Sequence, residues 1–201
     1  MAHERLGIFG GTFDPPHIGH LSLAAEVCQQ LGLDRLLWML TPISPHKRDQ
    51  SITPVEQRLS MLELAIAGNP DFELSRIELD HPGPYYTVDT MRRFADRYPS
   101  AELILVIGGD SLRDLPRWHQ PSDLVAACHE IGVVRRPGDS VDLSALEQQV
   151  PVMQAKVRFV DAPLLDISSR DIRRRIREKL PFRYYLSPSV YNYILNKKLY
   201  R

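Results

Sequence analysis

Gly10-Gly11-Thr12-Phe13-Asp14-Pro15-Pro16-His17-Ile18-Gly19-His20 follows directly on the apolar run Leu6 to Phe9. This order, a short β-type run, a glycine turn and then a helical pattern, decides the fold. It brings backbone N–H groups and the positive end of a helix to a point where a phosphate can dock. Gly10 and Gly11 remove side chains that would keep the backbone away from a ligand. His17 and His20 are three apart, so on a first helical turn both imidazoles face one side, within reach of a single phosphoryl group. Taken singly, these residues read as well as a tight turn with surface histidines. The whole stretch argues against that.

Working outward, Leu21, Ala24, Ala25, Cys28 and Leu31 fall at the spacing of a core-facing helical stripe, and Gly32 supplies the stop. Further apolar runs at Leu36 to Thr41, Glu73 to Ile77, Leu103 to Ile107, Ile131 to Val134 and Val157 to Val160 read as buried strands. Between them, Thr53-Pro54-Val55-Glu56 has the form of a capping box, with Val55, Leu59, Leu62 and Ile66 on one face. Thr87 opens another helix, with Val88, Met91, Ala95 and Tyr98 inward and Pro99 as the break. Alternating strands and helices imply a Rossmann-like α/β fold, a doubly wound and mostly parallel sheet covered on both faces. From about Pro163 the pattern is helical alone, with helices expected over Ser168 to Leu180 and from Ser187-Pro188 onward. The chain is therefore read as one domain, with a core over residues 1–162 and a helical C-terminal appendage over 163–201. Asp139 to Gln154 is expected to be an exposed loop-and-helix excursion.

In such sheets ligands sit beyond the carboxyl ends of the strands, where the strand order reverses. Gly10-Gly11, Thr41-Pro42, Gly108-Gly109-Asp110, Arg136-Pro137-Gly138 and the segment Asp161 to Ser169 all follow predicted strands, so they are expected to converge on one crevice. Neither Gly-x-Gly-x-x-Gly nor a Walker A pattern is present, which removes the main support for a dehydrogenase or a P-loop NTPase.

At 201 residues the chain is long enough to bury roughly 70% of its unfolded surface without a staple. Cys28 and Cys128 lie beside no histidine at metal spacing and read as two buried thiols in a reducing compartment. No signal-peptide pattern opens the chain and no apolar run reaches membrane length, so a cytoplasmic location is expected. The 25 basic and 25 acidic residues give zero formal charge, which weighs against a broad nucleic-acid footprint. Arg170, Arg173, Arg174, Arg175, Arg177 and Lys179 crowd one helix, and such a run is ordinarily a solvated face.

The opening stretch resembles the nucleotidyltransferases with a His-x-Gly-His signature, and among them the bacterial nicotinate-mononucleotide adenylyltransferases. Matching stretches extend over nearly the whole chain: Pro45-His46-Lys47, Tyr86-Thr87, Gly108-Gly109-Asp110-Ser111-Leu112, Trp118-His119, Arg136-Pro137-Gly138 and Ile167-Ser168-Ser169-Arg170-Asp171-Ile172-Arg173. The reaction this implies joins nicotinate mononucleotide to the AMP part of ATP, giving nicotinate adenine dinucleotide and pyrophosphate. With a second pKa near ~6, the attacking phosphate is largely dianionic at pH 7 and needs no general base. Catalysis is then alignment plus charge stabilisation.

For this reaction His17 and His20 are expected to donate to the α- and β-phosphates of ATP, with Gly10, Gly11, Thr12 and Phe13 around them; the competing role, general acid to the leaving pyrophosphate, is weaker because pyrophosphate on magnesium is already a good leaving group. The resemblance implies that Ser168 and Ser169, which also read as an N-cap pair, hold ATP phosphates, and that Arg173 reaches the terminal ones. Family members usually carry threonine where this chain has Arg170. Gly108 and Asp110 are assigned to the nucleotide, with Asp110 accepting from ribose hydroxyls or, as a plainer alternative, capping the helix that follows. Trp118, in a polar, proline-flanked stretch, is the candidate to stack on the pyridine ring, whereas Trp38 reads as core. Backbone N–H groups at the Thr87 helix start suit the nicotinate carboxylate, with Tyr85 or Tyr86 shaping the pocket. Lys47 and Arg136, or Arg135 in its place, suit the mononucleotide phosphate. His119 stands where an aromatic tyrosine is expected. Magnesium is expected to ride on the ATP phosphates, because Mg²⁺ keeps several waters and the sequence shows no carboxylate cluster for it.

The alternatives are a related adenylyltransferase acting on nicotinamide mononucleotide or phosphopantetheine, and a non-catalytic nucleotide-binding regulator. An RNA-binding role for the Arg-rich helix lacks interleaved aromatics. The expected partners are the two small-molecule substrates, with no nucleic acid and no membrane; a homo-oligomer is compatible with such a chain.

Overall fold

β1 (Arg5–Gly11) lies at the centre of a sheet whose six strands are all parallel. Its neighbours are β2 (Arg35–Leu40) on one side and β4 (Glu102–Gly108) on the other, and β3 (Phe72–Ser75), β5 (Glu130–Arg135) and β6 (Val157–Asp161) complete the order β3-β2-β1-β4-β5-β6. The computed structural model describes residues 3–42, 52–135, 141–163 and 165–201. Each strand contains, within a residue or two, one of the apolar runs of the sequence. The strand order reverses between β1 and β4, which opens a crevice at their carboxyl ends. Gly10-Gly11 ends one and Gly108 the other.

Alternation along β1 feeds two cores. Leu6 and Ile8 face a layer formed by α3 (Thr87–Arg97), α4 (Gly109–Asp114) and α5 (Pro121–Ala127), through Met91, Phe94, Leu112 and Leu124. Phe9 faces the other way with Trp38, Val106 and Val134, under α1 (Ile18–Leu31) and α2 (Val55–Ile66). Trp38 is completely buried, as its sequence context suggests. Among the described residues no helix is long and apolar enough to cross a membrane.

Several local expectations are corrected. In α1 the buried residues are Ala24, Val27 and Leu31, while Ala25 is exposed, because the helix presents a slightly rotated face. Gly32 ends it in the left-handed conformation (φ 60°) that glycine adopts without steric cost. The expected capping box at Thr53 does not form: Pro54 occupies the N-cap of α2 and no side chain caps it. In α3 Phe94, not Ala95, completes the buried stripe with Val88 and Met91. The excursion near residue 150 is not purely exposed. Leu146 of α6 (Leu143–Gln149), Val150 at its C-cap and Met153 at the start of α7 (Met153–Lys156) enter the first core. Cys28 is only half-buried; burial pushes its thiol up to about 11, and that of the fully buried Cys128 up to about 12.

α8 (Ser169–Arg177) and α9 (Pro188–Lys197) follow β6. Ser168 caps α8 by accepting from the Asp171 N–H at 3.1 Å, and Ser187 caps α9 in the same way through Val190. Ile172, Val190, Ile194 and Leu199 form a third apolar cluster with Met61 of α2. The C-terminal helices are thereby packed on the helix that follows β2. Arg174 pairs with Asp171 and Glu178 on the outer face, as expected for a solvated charge run.

Candidate active site

His17 is the N-cap of α1, with extended backbone geometry, and its N–H donates to His20 Nδ1 at 3.2 Å. The two imidazoles stack, with centroids 3.6 Å apart and planes 24° from parallel. The i, i+3 spacing therefore does what the sequence implies and puts both rings on one side of the helix start. Gly19 leaves room for the His17 ring: a Cβ there would lie 3.0 Å from His17 Nδ1 and 3.1 Å from its Cε1, a tight contact. His17 is buried, and burial lowers its pKa from 6.5 to about 4, so its imidazole is neutral at pH 7. Because His20 Nδ1 accepts a backbone hydrogen bond, its neutral form carries the proton on Nε2.

Phe13 supports the pair from below. It adopts a left-handed conformation (φ 46°) unusual for a large side chain, held by edge-on packing 5.5 Å from Phe9 and 5.2 Å from His20. Its neighbour Asp14 is buried and heavily anchored. The Asp14 carboxylate accepts from Tyr200 OH at 2.6 Å and from the Thr53 N–H at 3.2 Å. Arg173 Nη1 donates to the Asp14 carbonyl at 2.6 Å, and Ser169 Oγ donates to that of Pro15 at 2.8 Å. The double-serine helix is thus tied directly to the histidine loop, although about 150 residues separate them in the chain.

Arg58 holds the same loop from the other side. Almost wholly buried in α2, it donates to the carbonyls of Thr53, Thr12, Thr41 and Pro42 at 2.7–2.9 Å. One guanidinium thereby pins the chain where it leaves β1 and β2, at the crevice. Burial lowers the Arg58 pKa, opposed by the charge of Asp14.

Beyond Gly10, Gly11 and Thr12 a cleft of about 380 Å³ runs to Tyr85, Tyr86, Thr87, Gly108, Ser111, Trp118 and His119. Tyr86 and His119 stack at 4.1 Å. Trp118 is half-buried against the first core, and Tyr86 is the N-cap of α3, whose first turn opens into the cleft. Glu78, buried in the cleft wall, accepts from Thr90 Oγ1 at 2.9 Å, and burial raises its pKa. Gly108 caps α4, so Asp110 sits inside that helix rather than at its N-cap. Asp110 is exposed and ion-paired with Arg113.

The structure accordingly brings Gly10, Gly11, Thr12, Tyr86, Thr87, Gly108, Trp118 and His119 to one cleft, and Phe13, His17, His20, Ser169 and Arg173 to one adjoining cluster. Ser168 serves as the cap of α8, and Arg170 is exposed on it. Arg135 pairs with Asp161 at 2.9 Å and lies over Phe159. Lys47 and Arg136 lie outside the described residues, as do Pro45, His46, Pro137 and Gly138. Arg58, Glu78 and Tyr200, and Asp14 within the opening motif, are candidate site residues to which motif reading gave no role. Among the described residues no group of three or more histidine, cysteine, aspartate or glutamate side chains comes together as a metal site.

Residues 8–175 match the cytidylyltransferase-like family model. A protein of Thermomicrobium roseum named as a probable nicotinate-nucleotide adenylyltransferase is 45% identical over 198 residues, covering 98% of this chain and 92% of that one. The nicotinate-nucleotide adenylyltransferase of Bacillus subtilis is 40% identical over 197 residues, 98% of each chain. The fold is similar to that of Plasmodium falciparum nicotinic acid mononucleotide adenylyltransferase complexed with NaAD, with a TM-score of 0.81 at 21% identity over 98% of both chains. A strand order reversing at a glycine turn, two stacked histidines on the helix that follows it, and full-length identity at this level have one common reading: the chain belongs to the nicotinate-nucleotide adenylyltransferase family.

Proposed function

We propose that the protein transfers the adenylyl group of ATP to nicotinate mononucleotide, forming nicotinate adenine dinucleotide and pyrophosphate. The observation that carries this reading is the His17–His20 stack at the start of α1, next to a cleft that ends at Trp118. NaAD, carried by the structurally similar Plasmodium enzyme, is the product this reading assigns to the chain.

In this mechanism an oxygen of the mononucleotide phosphate attacks the α-phosphorus of ATP. The bond from the α-phosphorus to the bridging oxygen breaks, and pyrophosphate leaves with its electron pair. The incoming dianion needs no proton removed. The difficulty is bringing two anions together, so the protein supplies donors. His17 and His20 donate to α- and β-phosphate oxygens. The start of α1 and the backbone of Gly10, Gly11 and Thr12 add fixed partial positive charge, with Phe13 orienting His20. Ser168, Ser169 and Arg173 approach the distal phosphates. Gly108 and Asp110 take the nucleoside of ATP. The groups set at the phosphates are donors rather than anionic ligands, a set that fits a triphosphate bringing its own divalent ion and not a resident metal. When bound, magnesium on the triphosphate supplies further charge neutralisation.

Trp118 stacks on the pyridinium ring, and Tyr86 and His119, already stacked together, form the adjacent wall. The N–H groups at Thr87 take the nicotinate carboxylate at the positive end of α3. Lys47 and Arg136 remain assigned to the mononucleotide phosphate. Pyrophosphate release from Mg-ATP tests the reading, measured separately with nicotinate mononucleotide, nicotinamide mononucleotide and phosphopantetheine. The expected result is fastest turnover with nicotinate mononucleotide. Faster turnover with either other acceptor, or ATP binding without pyrophosphate, would contradict it.

A further inference from the structure

The second-last residue of the chain reaches the histidine loop. Tyr200 lies just past the C-terminal helix in a left-handed backbone conformation (φ 64°), with its hydroxyl 2.6 Å from Asp14 Oδ1 across 186 positions of sequence. Leu199 beside it is buried in the cluster with Met61 and Ile172, so the end of the chain is packed down. Asp14 is only 4% exposed. Its carboxylate is held by Tyr200 and by the Thr53 N–H, whereas its carbonyl is held by Arg173.

These anchors differ in what else they do. On the reading above, on which this inference rests, Arg173 and Ser169 serve the triphosphate. A guanidinium has five N–H donors and can bridge the loop and a phosphate. Any displacement of Arg173 toward the phosphates is therefore passed to Asp14 and so to His17, three residues on. Tyr200 and Thr53 instead bind the carboxylate, one on Oδ1 and the other on Oδ2, and neither is assigned to a phosphate on that reading. We propose that Tyr200 is a positioning residue for adenylyl transfer, its hydroxyl fixing Asp14 and thereby the His17 loop while Arg173 is engaged by the triphosphate.

Tyr200→Phe keeps the ring and removes the donor. The expected result is a fall of about 10-fold in kcat which, together with an ATP-analogue affinity weaker by about 10-fold, makes up roughly the cost of one hydrogen bond to a charged group, with the acceptor KM unchanged and Tm shifted by a few degrees at most. In an Asp14→Ala background the same substitution should cause no further loss in kcat. Wild-type kcat in Tyr200→Phe, or an undiminished fall on top of Asp14→Ala, would overturn the proposal. So would a loss spread equally over kcat, acceptor KM and Tm, which is what simple destabilisation gives. The dissociation constant of a non-hydrolysable Mg-ATP analogue gives a readout that needs no acceptor: it should weaken about 10-fold in Tyr200→Phe. If the wild-type protein releases no pyrophosphate with any pyridine mononucleotide, the function proposed above fails. The analogue titration still decides the role of Tyr200, and an unchanged constant there would overturn it.

Discussion

The His17 ring stacks on that of His20 at 3.6 Å directly beside Gly19, where a Cβ would come within 3.0 Å of His17 Nδ1. A Cβ at that position would press on the Nδ1 edge of His17. Gly19→Ala is therefore expected to displace the ring and lower kcat by about 10- to 100-fold, the range found when a positioned donor is misplaced. Alanine is a better helix former than glycine, so Tm should change little. Steady-state kinetics and thermal unfolding on the same sample check both halves.

Burial of neutral His17 gives a signed pH dependence. Its pKa is about 4 in the fold and near 6.5 when unfolded. Between those values the unfolded chain binds more protons, so stability contributed by this group is complete above about 6.5 and lost as pH falls toward 4. The full loss is on the order of 3 kcal/mol. Urea unfolding of His17→Gln against wild type should show that slope disappear from the pH 4–6.5 window.

The same burial separates two roles in catalysis. A hydrogen-bond donor that stays neutral adds no limb to kcat near pH 6.5. The fall in rate with acid should track the acceptor phosphate, whose second pKa is near ~6. A pH–rate profile that stays flat from about pH 7 to about pH 9 is expected. A descending limb near the ordinary histidine pKa would mean that one imidazole works as a general acid.

Arg58 bonds four carbonyls from inside α2. Arg58→Ala leaves them without their donor and opens a cavity under the crevice, for an expected loss of about 3–5 kcal/mol. Arg58→Lys cannot reproduce the fork and should recover only part of this. Equilibrium denaturation measures both.

Trp118 offers a flat half-buried face to the cleft. Trp118→Ala should raise the KM for the pyridine mononucleotide by about 10-fold or more, while affinity for the Mg-ATP analogue stays within twofold. Loss of both affinities together would place the indole in the core instead of at the ring.

The strands were readable because an all-parallel sheet buries both faces and leaves continuous apolar runs such as Leu103 to Ile107. The stacked histidines were readable because i, i+3 spacing fixes direction on a helix. Asp14 and Tyr200 were not, since nothing in local spacing reports a hydrogen bond across 186 positions. Arg58 left a trace: it falls on the helical face of Val55 and Leu62, where a cation amid apolar residues has to be buried with partners. The capping box at Thr53 misled because the Thr53 carbonyl and N–H are bound by Arg58 and Asp14, which set its backbone from outside. Leu146, Val150 and Met153 were obscured by the polar residues around them.

On this mechanism the paired imidazoles of His17 and His20 stabilise charge on the transferring phosphate by donating hydrogen bonds, without moving a proton. Single-turnover pyrophosphate release by His17→Ala and by His20→Ala, at saturating Mg-ATP and nicotinate mononucleotide and with folding verified for each variant, tests it most directly. A loss of about 100-fold or more in each is the predicted result; a rate within a few-fold of wild type in either would contradict it.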